Sequence, residues 1–128
     1  MHRSITIGLA MAAGAALGAA AVESLHAQAR MKAYAVTEFE VLDATANTAY
    51  VTPFLAAVRA AGGRGLGTGG QNVVAFVGNA PQHVAIQEYD SLEQVQAFFN
   101  SAAYKNLAPQ RDRAEKTIRQ YAVGAVTN

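Results

Sequence analysis

Lys32-Ala33-Tyr34-Ala35-Val36-Thr37-Glu38-Phe39-Glu40-Val41 alternates its side chains with a period of two. Ala35, Thr37, Phe39 and Val41 fall on one side, Tyr34, Val36, Glu38 and Glu40 on the other, which is the pattern of a β-strand with two distinct faces. Asp43 follows in position to cap a helix through its carboxylate. Beyond it Tyr50, Phe54, Leu55 and Val58 make one helical stripe. Pro53 lacks an amide donor, so the expectation is that it opens a second helical segment, where that donor is not needed. Gly62-Gly63 ends the helix.

Residues 64–68 read as a short strand weakened by glycine, Gly69-Gly70 as a bulge or turn, and residues 72–77 as the strand continuing. Gly78-Asn79-Ala80-Pro81 is a turn by composition and residues 83–89 a further strand. Ser91 with Gln94 forms a capping box, and Leu92, Val95 and Phe99 are the expected apolar stripe of the next helix. Residues 109–116 read as a shorter helical piece and 118–126 as the last strand. The order β-α-β-β-α-β is the ferredoxin-like α+β arrangement, one antiparallel sheet with both helices on one side. No helix remains to cover the other side. An apolar sheet face in water is unfavourable, and the simplest cover is a second copy packed sheet against sheet, a homodimer about a two-fold axis.

Upstream the pattern changes. Met1-His2-Arg3-Ser4 is a short basic start, and residues 5–22 carry no charge. Glu23-Ser24-Leu25-His26 is polar, and Ala27-Gln28-Ala29 has the small-x-small form of a cleavage site. Residues 1–29 are therefore expected to be a signal peptide and 30–128 the folded domain, exported to a periplasmic or secreted destination. The competing reading is a retained anchor. The 18 uncharged residues reach the lower limit for a spanning helix, but most are Ala and Gly, which favours cleavage, with no membrane contact afterwards. No Arg-Arg pair precedes them, so the general secretory route is expected.

After residue 29 nine Lys and Arg face eight Asp and Glu, a balance that gives no electrostatic reason to bind nucleic acid or acidic membranes. The chain has no cysteine, which removes disulfides, thiolate metal sites and a cysteine nucleophile together. His83 is the one histidine after residue 29, so a multi-histidine metal site is excluded; the plainer reading of His83 is a residue flanking a turn at a strand start. Gly65-Leu66-Gly67-Thr68-Gly69-Gly70 satisfies G-x-G-x-x-G, but a helix precedes it and a strand follows. That is the reverse of the dinucleotide fingerprint, so the glycines are read as relief for an edge strand.

A set of spaced residues carries a family resemblance: Lys32-Ala33-Tyr34-Ala35-Val36, then Ala61-Gly62-Gly63-Arg64, Gly69-Gly70, Glu88-Tyr89, and Ser101-Ala102-Ala103-Tyr104 with Arg111 downstream. In order and spacing the chain resembles the domain of unknown function 1330 family, in the dimeric α+β barrel superfamily, over about residues 32–126. Gly65, Gly67 and Thr68 depart from it, standing where bulkier or basic strand residues are usual. The resemblance implies the ferredoxin-like fold and a dimer. It implies no activity, because the superfamily hosts cofactor-free monooxygenases, isomerases and simple binding proteins alike.

Glu38 and Glu88 are strand carboxylates that serve as a base if half-buried in a pocket; the plainer reading is a structural ion pair with Arg64, Arg111 or Arg119. Glu38 belongs to the face away from the helices, and the family pattern puts Glu88 there too. Tyr34, Tyr104 and Tyr121 are able to line a pocket and offer a phenol, though tyrosines at sheet ends mostly pack. Arg64 is a candidate for fixing an anionic group, and Arg111, which matches the family's arginine, for holding a ligand carboxylate. Asp112, Arg113, Glu115 and Lys116 mix signs on a helix and read as a solvated face. The expectation is small-molecule handling in a cleft between sheet and helices without metal or organic cofactor. Its alternatives are a non-catalytic exported binding module and a purely structural dimer.

Overall fold

A computed structural model describes residues 31–68 and 72–126. The signal peptide expected at residues 1–29 and the turn expected at Gly69-Gly70 lie outside the described residues. The elements are β1 (Ala33–Val41), α1 (Ala44–Ala60), β2 (Arg64–Gly65), β3 (His83–Tyr89), α2 (Leu92–Phe99), α3 (Ala102–Lys105), α4 (Ala108–Ala114) and β4 (Glu115–Gly124). The sheet runs β2-β3-β1-β4 with every pairing antiparallel, which is the ferredoxin-like order.

Local chemistry sets the boundaries. Asp43 caps α1 by accepting from the Ala46 amide at 2.8 Å. At the other end Gly62 adopts φ +85°, and the amides of Gly62 and Gly63 donate to Arg59 and Val58, the two bonds of a Schellman motif. Gly63 has a second reason to be glycine: a Cβ there lies 2.5 Å from the Tyr89 ring. Ser91 caps α2 by accepting from the Gln94 amide, and the Gln94 side chain reaches back to the Asp90 amide.

Four expectations are corrected. α1 runs unbroken through Pro53. The carbonyl that proline leaves without its helical donor is that of Ala49, and the Gln110 side-chain amide donates to it at 3.3 Å. The 72–77 strand is absent. β2 pairs for only two residues, Gly67 turns away at φ +70°, and the Thr68 hydroxyl accepts from the Ile86 amide where a ladder carbonyl belongs. Residues 72–80 then run outside the sheet with Phe76 95% exposed. In α2 the buried pair is Val95 and Phe98; Leu92 is exposed and Phe99 only half-buried. Finally, α4 stops at Ala114 and β4 begins at Glu115, because the Ala114 carbonyl accepts from the amides of Leu42 and Asp43 and ties the chain to the end of β1.

The core lies between the sheet and the helices. Ala33 and Ala35 of β1 are small enough to let Val58, Val95, Phe98 and Tyr104 close onto the sheet beside Tyr89. Phe98 is the hub, with ring centroids 5.4–6.1 Å from Phe54, Tyr89 and Tyr104. On the opposite face the registers place Ile86, Val36 and Tyr121 in one row across β3, β1 and β4, flanked by Glu88, Tyr34 and Val123 in a second and by Val84, Glu38 and Arg119 in a third. No helix covers this face among the described residues.

Candidate functional site

Between α1 and the helix-facing side of the sheet lies a cavity of about 520 Å³. It exists because the floor beneath that part of α1 is built from small side chains, Thr37 of β1, Ala85 of β3 and Gly65 of β2. Val51, Phe54 and Leu55 of α1 and Leu66 after β2 form an apolar wall, with Arg59, Arg64 and Thr68 also lining the cavity; Asn47, Tyr104, Arg111, Glu115 and Gln120 contribute a further polar set.

Arg111 and Glu115 come to that polar set by different routes. Arg111 projects from α4 with its guanidinium 4.3 Å from the centroid of the Tyr104 ring, which is itself braced edge-on against Phe99. Glu115 is turned inward by a β-bulge. Glu38 pairs with Arg119 but Phe39 pairs with Thr117, so Ile118 is an extra residue in β4. It reverses the alternation, bringing Glu115 to the side that already holds Thr37 and Gln120. Burial pushes the Glu115 carboxyl up to about 7, opposed by the nearby Arg111 charge. Its place at the C-terminal end of α4 acts in the same direction as burial, since a helix C-terminus disfavours negative charge. The Tyr50 hydroxyl is likewise pushed up to about 12 by burial, with Arg111 pulling the other way. Gln120 links the floor to the helices, donating to Thr37 Oγ1 at 3.0 Å and meeting the Tyr104 hydroxyl at 3.3 Å.

Three buried polar atoms around this cavity have no hydrogen-bond partner within the protein: Arg111 Nη1, Asn47 Oδ1 and Gln87 Oε1. Buried polar atoms are nearly always paired. These three orphans belong to residues that line one cavity, which makes it the candidate site.

The structure divides the sequence candidates. Tyr104, Arg111 and Arg64 border the cavity. Glu38, Glu88 and Tyr34 do not; they lie on the open face. Glu38 accepts two bonds from the Arg119 guanidinium, at 2.8 and 2.6 Å, and these hold its carboxyl below the usual range despite its burial. Glu88 is bonded by Lys32 and Arg64, and those partners, Lys32 first, likewise hold it low. A general base that must hold a proton near neutrality needs the opposite shift. Glu88 and Arg64 do border a smaller groove of about 340 Å³ beside Tyr89. Tyr121 is exposed on the open face. His83 is buried at the start of β3, its ring stacked 5.2 Å from Phe39. Among the described residues no group of three or more His, Cys, Asp or Glu converges as a metal cage, and no helix is long and apolar enough to cross a membrane.

Sequence reasoning missed Glu115, Tyr50, Asn47 and Gln87. The β-branched Thr117 and Ile118 were the one signal that a strand starts close to Glu115, and nothing local announced the bulge.

The protein RPA0582 from Rhodopseudomonas palustris, of unknown function, has a crystal structure similar to this chain, with a TM-score of 0.60 at 17% identity over 77% of this chain and 85% of that one. A dimeric protein of unknown function and ferredoxin-like fold from Bacteroides fragilis is more distantly similar, with a TM-score of 0.44 at 11% identity over 73% of this chain and 94% of that one. The first of these likenesses is one of fold alone. No curated protein matches. DUF1330, a domain of unknown function, matches residues 32–124, and the chain belongs to that family.

Proposed function

We propose that this is an exported protein, periplasmic or secreted, that pairs into a homodimer through its open sheet face and handles a small organic molecule in the cleft under α1, using its own side chains without metal or organic cofactor. The observation that carries the reading is the cavity of about 520 Å³ with an apolar wall and three unpartnered buried polar atoms around it. Its volume lies in the range of small-molecule sites, roughly 300–1,000 Å³. Export rests on the order basic start, uncharged stretch and Ala27-Gln28-Ala29. The dimer rests on the open face, apolar along Ile86, Val36 and Tyr121 and charged toward Glu88 and Arg119, an apolar centre with a polar rim.

Acid–base chemistry, rather than binding alone, is favoured by one residue. Glu115 titrates near neutrality in the cleft, where a carboxyl both donates and accepts protons.

Ligand-observed NMR with a library of small organic acids, amides and alcohols tests the cleft. Hits on the native chain are expected to vanish in Ala85→Phe, which fills the floor from within. Hits that persist undiminished in a folded Ala85→Phe place the site elsewhere and refute the reading.

A further inference from the structure

We propose that the ligand is an amphipathic organic anion, its carboxylate seated on Arg111 and its apolar body along the α1 wall, and that Glu115 takes up a proton as it binds. This deepens the reading of the cleft as a small-molecule site and rests on it.

Among the described residues the ion pairs are those of Glu88 with Lys32 and Arg64 and of Glu38 with Arg119. Arg111 is in none of them. Its guanidinium sits on an aromatic ring inside the cleft, and its Nη1 is buried without a partner. A guanidinium stays charged in a protein, and withdrawing its donors from water is costly unless an acceptor meets them. A carboxylate is the acceptor whose geometry and charge match. Gln87 supplies a second, independent observation. It is 2% exposed, and its unpartnered Oε1 borders the same cavity. An amide presents a donor or an acceptor according to which way it is turned, so Gln87 calls for a second polar group on the ligand without fixing its kind. Val51, Phe54, Leu55 and Leu66 offer an apolar wall for the ligand's body, although Arg59, Arg64 and Thr68 also line the cavity.

Glu115 makes the site sensitive to pH. It is faced by Arg111 from α4 and Tyr50 from α1, while Tyr104 of α3 and Asp112 of α4 act on Arg111 itself. Ionised, Glu115 repels an incoming carboxylate and competes with it for Arg111. Protonated, it is neutral and has a hydrogen to donate. Anion binding is therefore linked to proton uptake, and affinity rises as pH falls through about 7. The ligand carboxylate, with an ordinary pKa of about 4–5, stays ionised across that window.

The probes are 2-naphthylacetate and its neutral amide, titrated against the full chain by NMR at pH 6 and pH 8. The acid is expected to bind about tenfold tighter than the amide at pH 6, the increment of one charge-assisted pair. It should lose about tenfold between pH 6 and pH 8, where the protonated fraction of Glu115 falls about tenfold, while the amide changes little. Glu115→Gln should hold the acid's affinity at its pH 6 value at both pH values, and Arg111→Gln should bring acid and amide together. An amide that binds the native chain as tightly as the acid overturns the anion proposal and leaves the cleft reading standing. An acid whose affinity is flat from pH 6 to pH 8 overturns the proton linkage. Neither probe perturbing the cleft at millimolar concentration refutes both readings, and the native chain decides each point even if Arg111→Gln does not fold.

Discussion

Replacing Glu115 by glutamine separates stability from binding. The native carboxyl titrates at about 7 against 4.5 in the unfolded chain, so the fold holds its proton more tightly than the coil does. Stability therefore falls as pH rises from about 4.5 to about 7 and is level above that, the reverse of an ion-paired carboxylate. At about 1.4 kcal/mol per pKa unit the full shift sets a ceiling of roughly 3 kcal/mol. Glu115 is only half-buried, and solvent screening brings the expected value to about 1–2 kcal/mol. Glutamine matches the shape and never ionises. Urea unfolding followed by circular dichroism at pH 5, 6, 7 and 8 gives the comparison, at fixed protein concentration because the proposed self-association would couple to stability. The variant should gain on the native chain with rising pH, reaching about 1–2 kcal/mol at pH 8. The paired Glu38 and Glu88 contribute stability above about 4.5 that is lost in more acid solution, so they leave this window undisturbed. A native-to-variant difference that is constant from pH 5 to pH 8, or that grows toward acid, refutes the account of Glu115.

Ile86→Lys puts an ammonium at the centre of the open face, and sedimentation at micromolar concentration should show a folded monomer where the native chain is a dimer; a native monomer or a dimeric variant refutes sheet-to-sheet pairing. Gln110→Ala should cost about 0.5 kcal/mol, the low end for a hydrogen bond whose carbonyl water also reaches, and less in a Pro53→Ala background where the helix supplies its own donor; additive effects in that double-mutant cycle contradict the compensation. N-terminal sequencing of exported protein should begin at Arg30, and a chain starting at Met1 in membranes contradicts the signal peptide.

What was legible in the sequence was whatever depends on neighbours along the chain. The alternation of residues 32–41, the Asp43 and Ser91 caps and the Gly62-Gly63 stop all report local geometry, and the fold order followed from them. What was illegible depends on distant partners. At Pro53 the carbonyl left without its helical donor is met by Gln110, far along the chain. Residues 72–77 have a strand's composition but no strand beside them, since β2 leaves the ladder after Gly65. The candidate site shows the same split. Tyr104 and Arg111 were found through a family pattern, whereas Glu115 faces the cleft only because Ile118 bulges, and a single extra residue exchanges the faces of every residue before it in β4. Glu38 and Glu88 carried two readings in the sequence, a base for chemistry or a structural ion pair, and the register sets Arg119 and Arg64 beside them as the second reading has it.

The central claim is that the cleft under α1, and not the open face, receives the small molecule. Backbone amide shifts of the isotope-labelled native chain, followed during titration with 2-naphthylacetate at pH 6, test it most directly. The account predicts that the saturating shifts cluster on Asn47, Tyr50, Phe54, Gln87, Arg111 and Glu115. Shifts concentrated instead on Tyr34, Val36, Ile86 and Tyr121 would contradict it.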